Sequence, residues 1–223
     1  MKNQKSYHLP IMLYMTLLVA LVTFWQGSSA AAQSSSVVGT AAQGVSAVEY
    51  IGVIQQTGPE FTTVGYLTYV NGLNPADLYT DPNNPGASTA RFTFSGSASL
   101  ASHANVGAVT QLSAVGPLTI YFNADGAKAD FADPDSFALG TEIATFDTRV
   151  SNILVVIAPN QGVSSAASDA KQQTAHRFVL NGKRLQFGHP QLIQRVTLSG
   201  GATRSQAEPP VSITQFAAFG VTP

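Results

Sequence analysis

Apolar and polar residues alternate along most of this chain, and the alternation has the two-residue period of a β-strand. In residues 89–100, Phe92 and Phe94 fall on one face of a strand, whereas Thr93 falls on the other. Residues 117–123 alternate in the same way. Because successive side chains of a strand point to opposite faces, this pattern predicts strands that each bury one face.

Further strands are predicted at residues 48–55, 64–70, 142–150, 153–157, 175–181, 183–188, 192–200 and 211–219. Residues 153–157 are apolar throughout, which predicts a central strand covered on both sides. The Ser/Ala-rich segment 163–173 is the single candidate for an amphipathic helix after residue 33. The sequence therefore predicts a chain built almost wholly of strands.

Turn residues agree with this assignment. Asn181-Gly182 lies between two apolar runs, and an Asn-Gly pair readily adopts the positive φ angles of a type I′ turn. It predicts a hairpin between the strands on either side. Asp125-Gly126 predicts another turn, and the Pro/Asn-rich residues 81–86 predict a loop that neither helix nor strand can cross.

These elements together predict an all-β fold. Nine to eleven short strands within residues 48–223 are typical of a closed barrel or a two-sheet sandwich. We favour an antiparallel β-barrel of about eight or more strands, because several strands carry bulky residues on both faces. A two-sheet β-sandwich is the second choice. No internal repeat of about 20–50 residues is present, which disfavours a propeller or a solenoid.

The N-terminal residues predict export. Lys2 and Lys5 precede the apolar run 9–25, and the small residues 30–32 resemble an A-x-A cleavage site. We expect a signal peptide at residues 1–32 and a secreted protein, extracellular or periplasmic; a retained membrane anchor is the alternative. No later segment is long and apolar enough to be expected to span a membrane.

The composition of the remainder predicts one β domain at residues 48–223, preceded by a small, uncharged and flexible lead-in at residues 33–47. The chain has no cysteine and no N-x-S/T glycosylation site. Thiol catalysis, cysteine-ligated zinc and iron–sulfur chemistry are thereby excluded. An exported bacterial protein fits this composition best, and its fold is expected to depend on packing without disulfides.

Charges are sparse and unevenly placed. Residues 33–147 contain ten acids against two bases, whereas residues 148–223 contain seven bases against two acids. The two parts could face each other as cross-strand pairs, or the bases could form a patch for an anionic partner. We favour cross-strand pairs because the bases form no run. Nucleic-acid binding is not expected of a mildly acidic protein.

Residues 123–135 form the densest polar cluster and a candidate calcium site, since calcium takes oxygen ligands. The spacing matches no EF-hand loop, because Pro134 stands where a bidentate glutamate is required. Ordinary turn chemistry is the favoured alternative. No other cofactor is predicted. The candidate ligands are Asp125, Asp130, Asp133 and Asp135.

Catalytic motifs are missing from the sequence. His103, His176 and His189 lack the short spacing of zinc ligands, and no G-x-S-x-G nucleophile elbow occurs. Ser168 and Lys171 satisfy S-x-x-K, but they lie in a Ser/Ala-rich stretch without the companion motifs of that enzyme class. We therefore predict no catalytic residue and favour a non-enzymatic protein.

Aromatic residues on the predicted strands give the remaining functional hypothesis. If the barrel is wide enough, their inward members line a cavity for a small apolar or amphipathic ligand; otherwise they fill the interior. The candidate ligand-binding residues are Tyr66, Tyr69, Phe92, Phe94, Tyr121, Phe122 and Phe178. The alternatives are a structural or surface-associated exported protein with a filled core, and a hydrolase or isomerase with strand-borne acid and base residues. The oligomeric state is left open.

Overall fold

The computed structural model describes residues 35–223, and within them the chain is almost entirely β-structure, as predicted. Two short 3₁₀ helices, Pro75–Leu78 and Pro134–Ala138, lie in loops. The strands are β1 (Ser36–Val38), β2 (Ser46–Thr57), β3 (Glu60–Val70), β4 (Phe92–Val106), β5 (Val109–Phe122), β6 (Thr141–Ala158), β7 (Gln161–Ala175), β8 (Arg177–Leu180), β9 (Lys183–Phe187), β10 (Ile193–Arg204) and β11 (Val211–Val221).

Eight of these strands form a closed antiparallel barrel in the order β10-β11-β2-β3-β4-β5-β6-β7. The barrel closes where β10 pairs with β7, through a register that runs from Ile193 opposite Lys171 to Thr203 opposite Gln161. The barrel prediction is therefore confirmed, and the sandwich alternative is wrong. Closure leaves no free edge within this sheet, so every barrel strand has two hydrogen-bonded neighbours.

The two ends of the barrel differ because their connections differ in length. At one end, which we call the mouth, tight turns join β2 to β3, β4 to β5 and β6 to β7, and residues 205–210 join β10 to β11. At the other end, which we call the base, long loops at residues 71–91 and 123–140 join β3 to β4 and β5 to β6. The base also carries a separate three-stranded sheet in the order β1-β9-β8.

This small sheet covers the base with apolar side chains. Phe178, Leu180, Leu185 and Phe187 are buried and belong to the same core as the inward residues of the barrel. The predicted hairpin at Asn181-Gly182 joins β8 to β9, and both residues have positive φ angles. The base is therefore filled by packed side chains.

The segment predicted as a flexible lead-in takes part in this sheet. Strand β1 lies in it and pairs in parallel with β9, and Val38 is buried. The predicted signal peptide, residues 1–32, lies outside the described residues. No helix within residues 35–223 is long and apolar enough to cross a membrane.

One local prediction is wrong. Residues 153–157 belong to the last part of β6 and are not a strand covered on both sides, since Val155 and Ile157 face the solvent with 39% and 63% of their surface exposed. Residues 163–173, the single candidate for a helix, form part of β7, in keeping with a chain built almost wholly of strands. Burial in β7 alternates residue by residue, which is the period of a strand with one buried face.

The outer face of the barrel brings opposite charges together across strands. Arg195 Nη2 on β10 lies 2.8 Å from Asp169 Oδ1 on β7, and Arg149 of β6 is also in register with Asp169. Asp147 and Lys171 face each other in the same way. Of these pairs, Asp147 and Lys171 join the acidic part of the sequence to the basic part, as the cross-strand interpretation expects, whereas Asp169 belongs to the same part as both arginines. Exposed pairs of this kind stabilise a fold only slightly.

Close packing inside the barrel depends on two paired glycines, Gly52 of β2 and Gly65 of β3. The ring of Phe94 lies over both: a methyl group at Gly52 would come within 2.9 Å of Phe94 Cζ, and one at Gly65 within 2.5 Å. A methyl at Gly65 would also meet the carbonyl oxygen of Ile51. Because Gly52 and Gly65 have no side chains, the Phe94 ring can pack directly against the backbone of β2 and β3.

We expect Gly65→Ala to lower the free energy of unfolding by about 1–3 kcal/mol, because the added methyl overpacks the Phe94 ring and the neighbouring backbone. Urea unfolding followed by circular dichroism measures this loss. Gly201→Ala on β10 is the matched control, since a methyl there meets no atom within 4 Å, and it should change stability by less than about 0.5 kcal/mol. Equal stability of the two variants would contradict this packing account.

Candidate ligand-binding cavity

The barrel encloses a cavity of about 630 Å³ between its middle and its mouth. Inward residues of all eight barrel strands line it, and the exposed residues Asn160, Gln161 and Arg204 lie at its outer limit. The cavity therefore opens to solvent at the mouth, whereas the packed base closes its other end.

The cavity exists because the inward side chains of β7 are small. Along this strand the buried, inward positions beyond the base are Gly162, Ser164, Ala166, Ser168 and Ala170. The interior of an eight-stranded barrel is just wide enough for ordinary side chains to fill it. A strand whose inward face carries only Gly, Ala and Ser leaves that space unfilled.

Four aromatic rings form the floor of the cavity: Tyr50, Phe94, Phe146 and Phe216. The Tyr50 and Phe94 rings meet edge to face with their centroids 5.6 Å apart, and the Phe94 and Phe216 centroids lie 6.4 Å apart. These separations are typical of favourable aromatic pairs. The floor is therefore a rigid apolar surface.

The polar atoms at the floor are hydrogen-bonded. The Tyr50 hydroxyl donates to Oε1 of the fully buried Gln194 at 3.4 Å, and Gln194 Nε2 donates to the Gly39 carbonyl at 2.9 Å. This chain of bonds connects the barrel floor to the segment after β1. Burial also raises the pKa of Tyr50 well above its ordinary value, because the phenolate would lose its hydration.

The walls above the floor are mainly apolar with a few polar groups. Ser164 Oγ donates to Asn152 Oδ1 at 2.6 Å, which places one satisfied polar pair on the β6–β7 wall. Apolar walls with a small number of placed polar groups are typical of small-molecule sites. The larger apolar lining residues are Ile54, Phe61, Leu100, Leu112, Leu118, Val150, Leu154 and Leu198.

The mouth differs from the walls in carrying charge and amide groups. Arg204 lies at the end of β10, and its backbone N–H donates to the Asn160 carbonyl in the β6–β7 turn at 3.0 Å. His103 and Asn105 of β4 line the mouth as well. Among the described residues that line the cavity there is no Asp, Glu or Lys.

Of the seven aromatic residues predicted to bind a ligand, Phe94 is the one that lines the cavity. Phe92, Phe122 and Phe178 pack against one another in the base, with ring centroids 4.7–5.6 Å apart. Their rings fill the interior at that end, which is the alternative that the sequence left open. Ligand binding by any of these residues stays a prediction.

The three predicted tyrosines lie outside the barrel. Tyr66 follows the inward Gly65 and points outward, where its ring meets Tyr79 at 6.4 Å. The Tyr69 hydroxyl donates to Asn71 Oδ1 at 3.1 Å. Tyr121 lies between the inward Ile120 and Phe122 and therefore also points outward.

The sequence-based prediction did not include the small residues of the cavity, because all of its candidate binding residues are aromatic. The signal was present: residues 162–170 place Gly, Ser or Ala at every second position. A strand with one face of this kind, in a barrel of this size, predicts unfilled interior space. The Ser/Ala-rich composition of residues 163–173 therefore corresponds to the part of the cavity wall that β7 forms.

The four predicted calcium ligands lie in the 123–140 loop at the base. Asp130 Oδ1 accepts a bond from the Ala132 N–H at 2.9 Å, and the Asp130 N–H donates to Ser136 Oγ at 2.9 Å. Asp133 and Asp135 flank the start of the second 3₁₀ helix. Within residues 35–223 no three His, Asp or Glu side chains gather as a metal site. The calcium site stays a prediction, and the observed bonds are those of turns.

The histidines are equally dispersed. His176 Nε2 lies 3.6 Å from Glu142 Oε1 at the exposed outer surface, and His189 Nδ1 lies 3.2 Å from the Pro190 carbonyl oxygen. His103 alone of these three lines the cavity. None of the three belongs to a cluster of three or more potential metal ligands within residues 35–223.

The fold and cavity define the chain as a closed eight-stranded antiparallel β-barrel with an internal cavity open at one end. No protein-family model, no curated protein and no solved structure matches it.

We expect the stability of the protein to fall more steeply with pH above about 10 than that of its Tyr50→Phe variant. An unfolded tyrosine ionises near pH 10, whereas folding holds Tyr50 neutral. This contribution is complete below that pH and is lost as the pH rises towards the folded pKa, with a slope of about 1.4 kcal/mol per pH unit for one proton.

Urea unfolding at several pH values between 7 and about 11 measures the two slopes. Tyr66 and Tyr79 also have raised pKa values, and both proteins retain them, so the difference between the slopes isolates Tyr50. The variant also loses the bond to Gln194, which shifts its whole curve without changing the slope. Parallel curves would show that Tyr50 is not held neutral by burial.

Proposed function

We propose that this protein is a non-catalytic binding protein that holds a small apolar or amphipathic ligand inside its barrel. The observation that carries the proposal is the cavity of about 630 Å³ with an aromatic floor and a single open end. Small-molecule sites have volumes of about 300–1,000 Å³ and predominantly apolar walls. The cavity meets both criteria.

The alternatives fit the described residues less well. A structural protein with a filled core has no use for a strand of small inward residues, since filling that space would stabilise the fold. A hydrolase or isomerase needs an acid and a base near the reacting atoms. No carboxylate lines the cavity among the described residues, and His103 is its one imidazole. These features support binding.

We also propose that the protein is exported from the cell. The N-terminal pattern of two lysines, an apolar run and small residues supports export. An exported barrel with an internal cavity is suited to carrying a poorly soluble molecule through water. Native mass spectrometry of the protein from its own host would then detect a bound mass of a few hundred daltons that is lost on denaturation.

We expect Ala166→Phe to weaken binding of the neutral fluorophore N-phenyl-1-naphthylamine by about tenfold or more, because the new ring fills space that the ligand needs. Ala166 is buried on β7 and lies in register with Asn152 on one side and Leu198 on the other, both of which line the cavity. Fluorescence titration of the purified protein gives the dissociation constants.

The matched control is Ala167→Phe, the same change one residue further along β7 at an exposed, outward position. It should bind the fluorophore as the unmodified protein does. Thermal unfolding of both variants checks that the barrel is intact. Equal binding by both variants would place the fluorophore outside the cavity, and the absence of binding by the unmodified protein would contradict the proposed function.

A further inference from the structure

Arg204 carries the one permanent charge among the described residues that line the cavity. It ends β10 opposite Ser212 of β11, and its backbone is bonded to the β6–β7 turn. Asn160 and Gln161 of the β6–β7 connection also lie at this part of the mouth. The mouth therefore carries a permanent positive charge on this side.

The guanidinium of Arg204 is free of carboxylate partners within residues 35–223. No Asp or Glu oxygen lies within 4 Å of it, in contrast to Arg195, which pairs with Asp169 on the outer face. Two acids lie at the mouth end of the barrel. Glu60 begins β3 and accepts a bond from Ser99 at 2.8 Å on the outer face, and Glu208 lies in the loop after β10. Neither lines the cavity.

The charge and the apolar surface lie at opposite ends of the cavity. The floor is made of the four aromatic rings described above, and the base behind it is closed. A molecule that enters from the mouth must therefore place its apolar body against the floor and leave its polar end at the rim. This arrangement selects for amphipathic molecules whose head carries a charge complementary to the arginine.

We propose that the cavity takes an amphipathic anion, an apolar body with a single carboxylate or sulfate head, and that Arg204 binds the head. This inference rests on the proposed function. Guanidinium groups bind carboxylates and related anions through two parallel N–H···O bonds, which are stronger than bonds between neutral groups.

The side of the mouth opposite Arg204 has no Lys, Arg, Asp or Glu among the described lining residues. His103 lies on β4, and three strands separate β4 from β10 in either direction around the barrel, so the two residues lie on opposite sides of the opening. Arginine carries a permanent positive charge. We therefore assign the head group to the Arg204 side.

The test compares three ligands that share one alkyl chain: dodecanoate, 1-dodecanol and dodecyltrimethylammonium. Isothermal titration calorimetry below micelle-forming concentrations gives their affinities for the purified protein at neutral pH. We expect dodecanoate to bind about tenfold or more tightly than the neutral alcohol, and the cation to bind most weakly. Arg204→Gln should remove the advantage of dodecanoate while leaving 1-dodecanol unchanged.

Two further variants make the result specific. Arg204→Lys keeps the charge and should retain part of the preference for the anion. Arg184→Gln removes an exposed arginine of β9 at the base and should change nothing. If 1-dodecanol binds and dodecanoate binds no better, or if Arg204→Gln weakens both equally, the inference is overturned while the proposed function stands. If none of the three binds, both fail.

Discussion

Closure of the sheet between β7 and β10 is the constraint on which the rest of this structure depends. Once eight strands are joined in a ring, the number of strands sets the diameter, and every second residue of each strand must face inward. The size of those inward residues then decides whether the barrel is solid or hollow. Here the same ring is solid at the base, where Phe92, Phe122 and Phe178 meet, and hollow towards the mouth, where β7 carries Gly, Ala and Ser.

The small sheet β1-β9-β8 holds the solid, base end of the barrel in place. Two glutamines of the barrel, Gln172 and Gln194, are fully buried beneath it, and both donate to backbone carbonyls of the covering segments. These bonds replace hydration that the amide N–H groups lose on burial, although Gln172 Oε1 has no hydrogen-bond partner among the described residues. The bonds fix one arrangement of the cover on the barrel. The apolar floor of the cavity therefore rests on a base that is both packed and hydrogen-bonded, whereas the mouth is framed by short turns.

The sequence predicted most of the strands, the Asn181-Gly182 hairpin and the barrel because period-two alternation and turn chemistry are local properties. It did not predict β1 or most of β7. The sequence did not identify most of the residues that line the cavity. Alternation separates the two faces of a strand, but it does not show which face points inward when both carry bulky residues, as at Tyr121 and Phe122. Register irregularities add to the difficulty. The bulge in β4 between Leu100 and Ser102 shifts the alternation by one residue, so His103 lines the mouth although counting from Phe92 would place it outside. Only the pairing of β4 with β5 reveals such a shift.

The distribution of positive charge shows why Arg204 differs from the other bases of the C-terminal part. Arg149, Lys171 and Arg195 lie on the outer face beside carboxylates of neighbouring strands, where solvent screens their attraction. Arg204 lies at the mouth, exposed to water, so its charge carries little desolvation cost before a ligand arrives. In the proposed complex the apolar body of the ligand fills the space below it and removes water from one side of the guanidinium. An ionic hydrogen bond is stronger in such a partly shielded place than on the open surface. The position of Arg204 therefore keeps the desolvation cost of the free side chain low and strengthens its bond to an anionic head group in the complex.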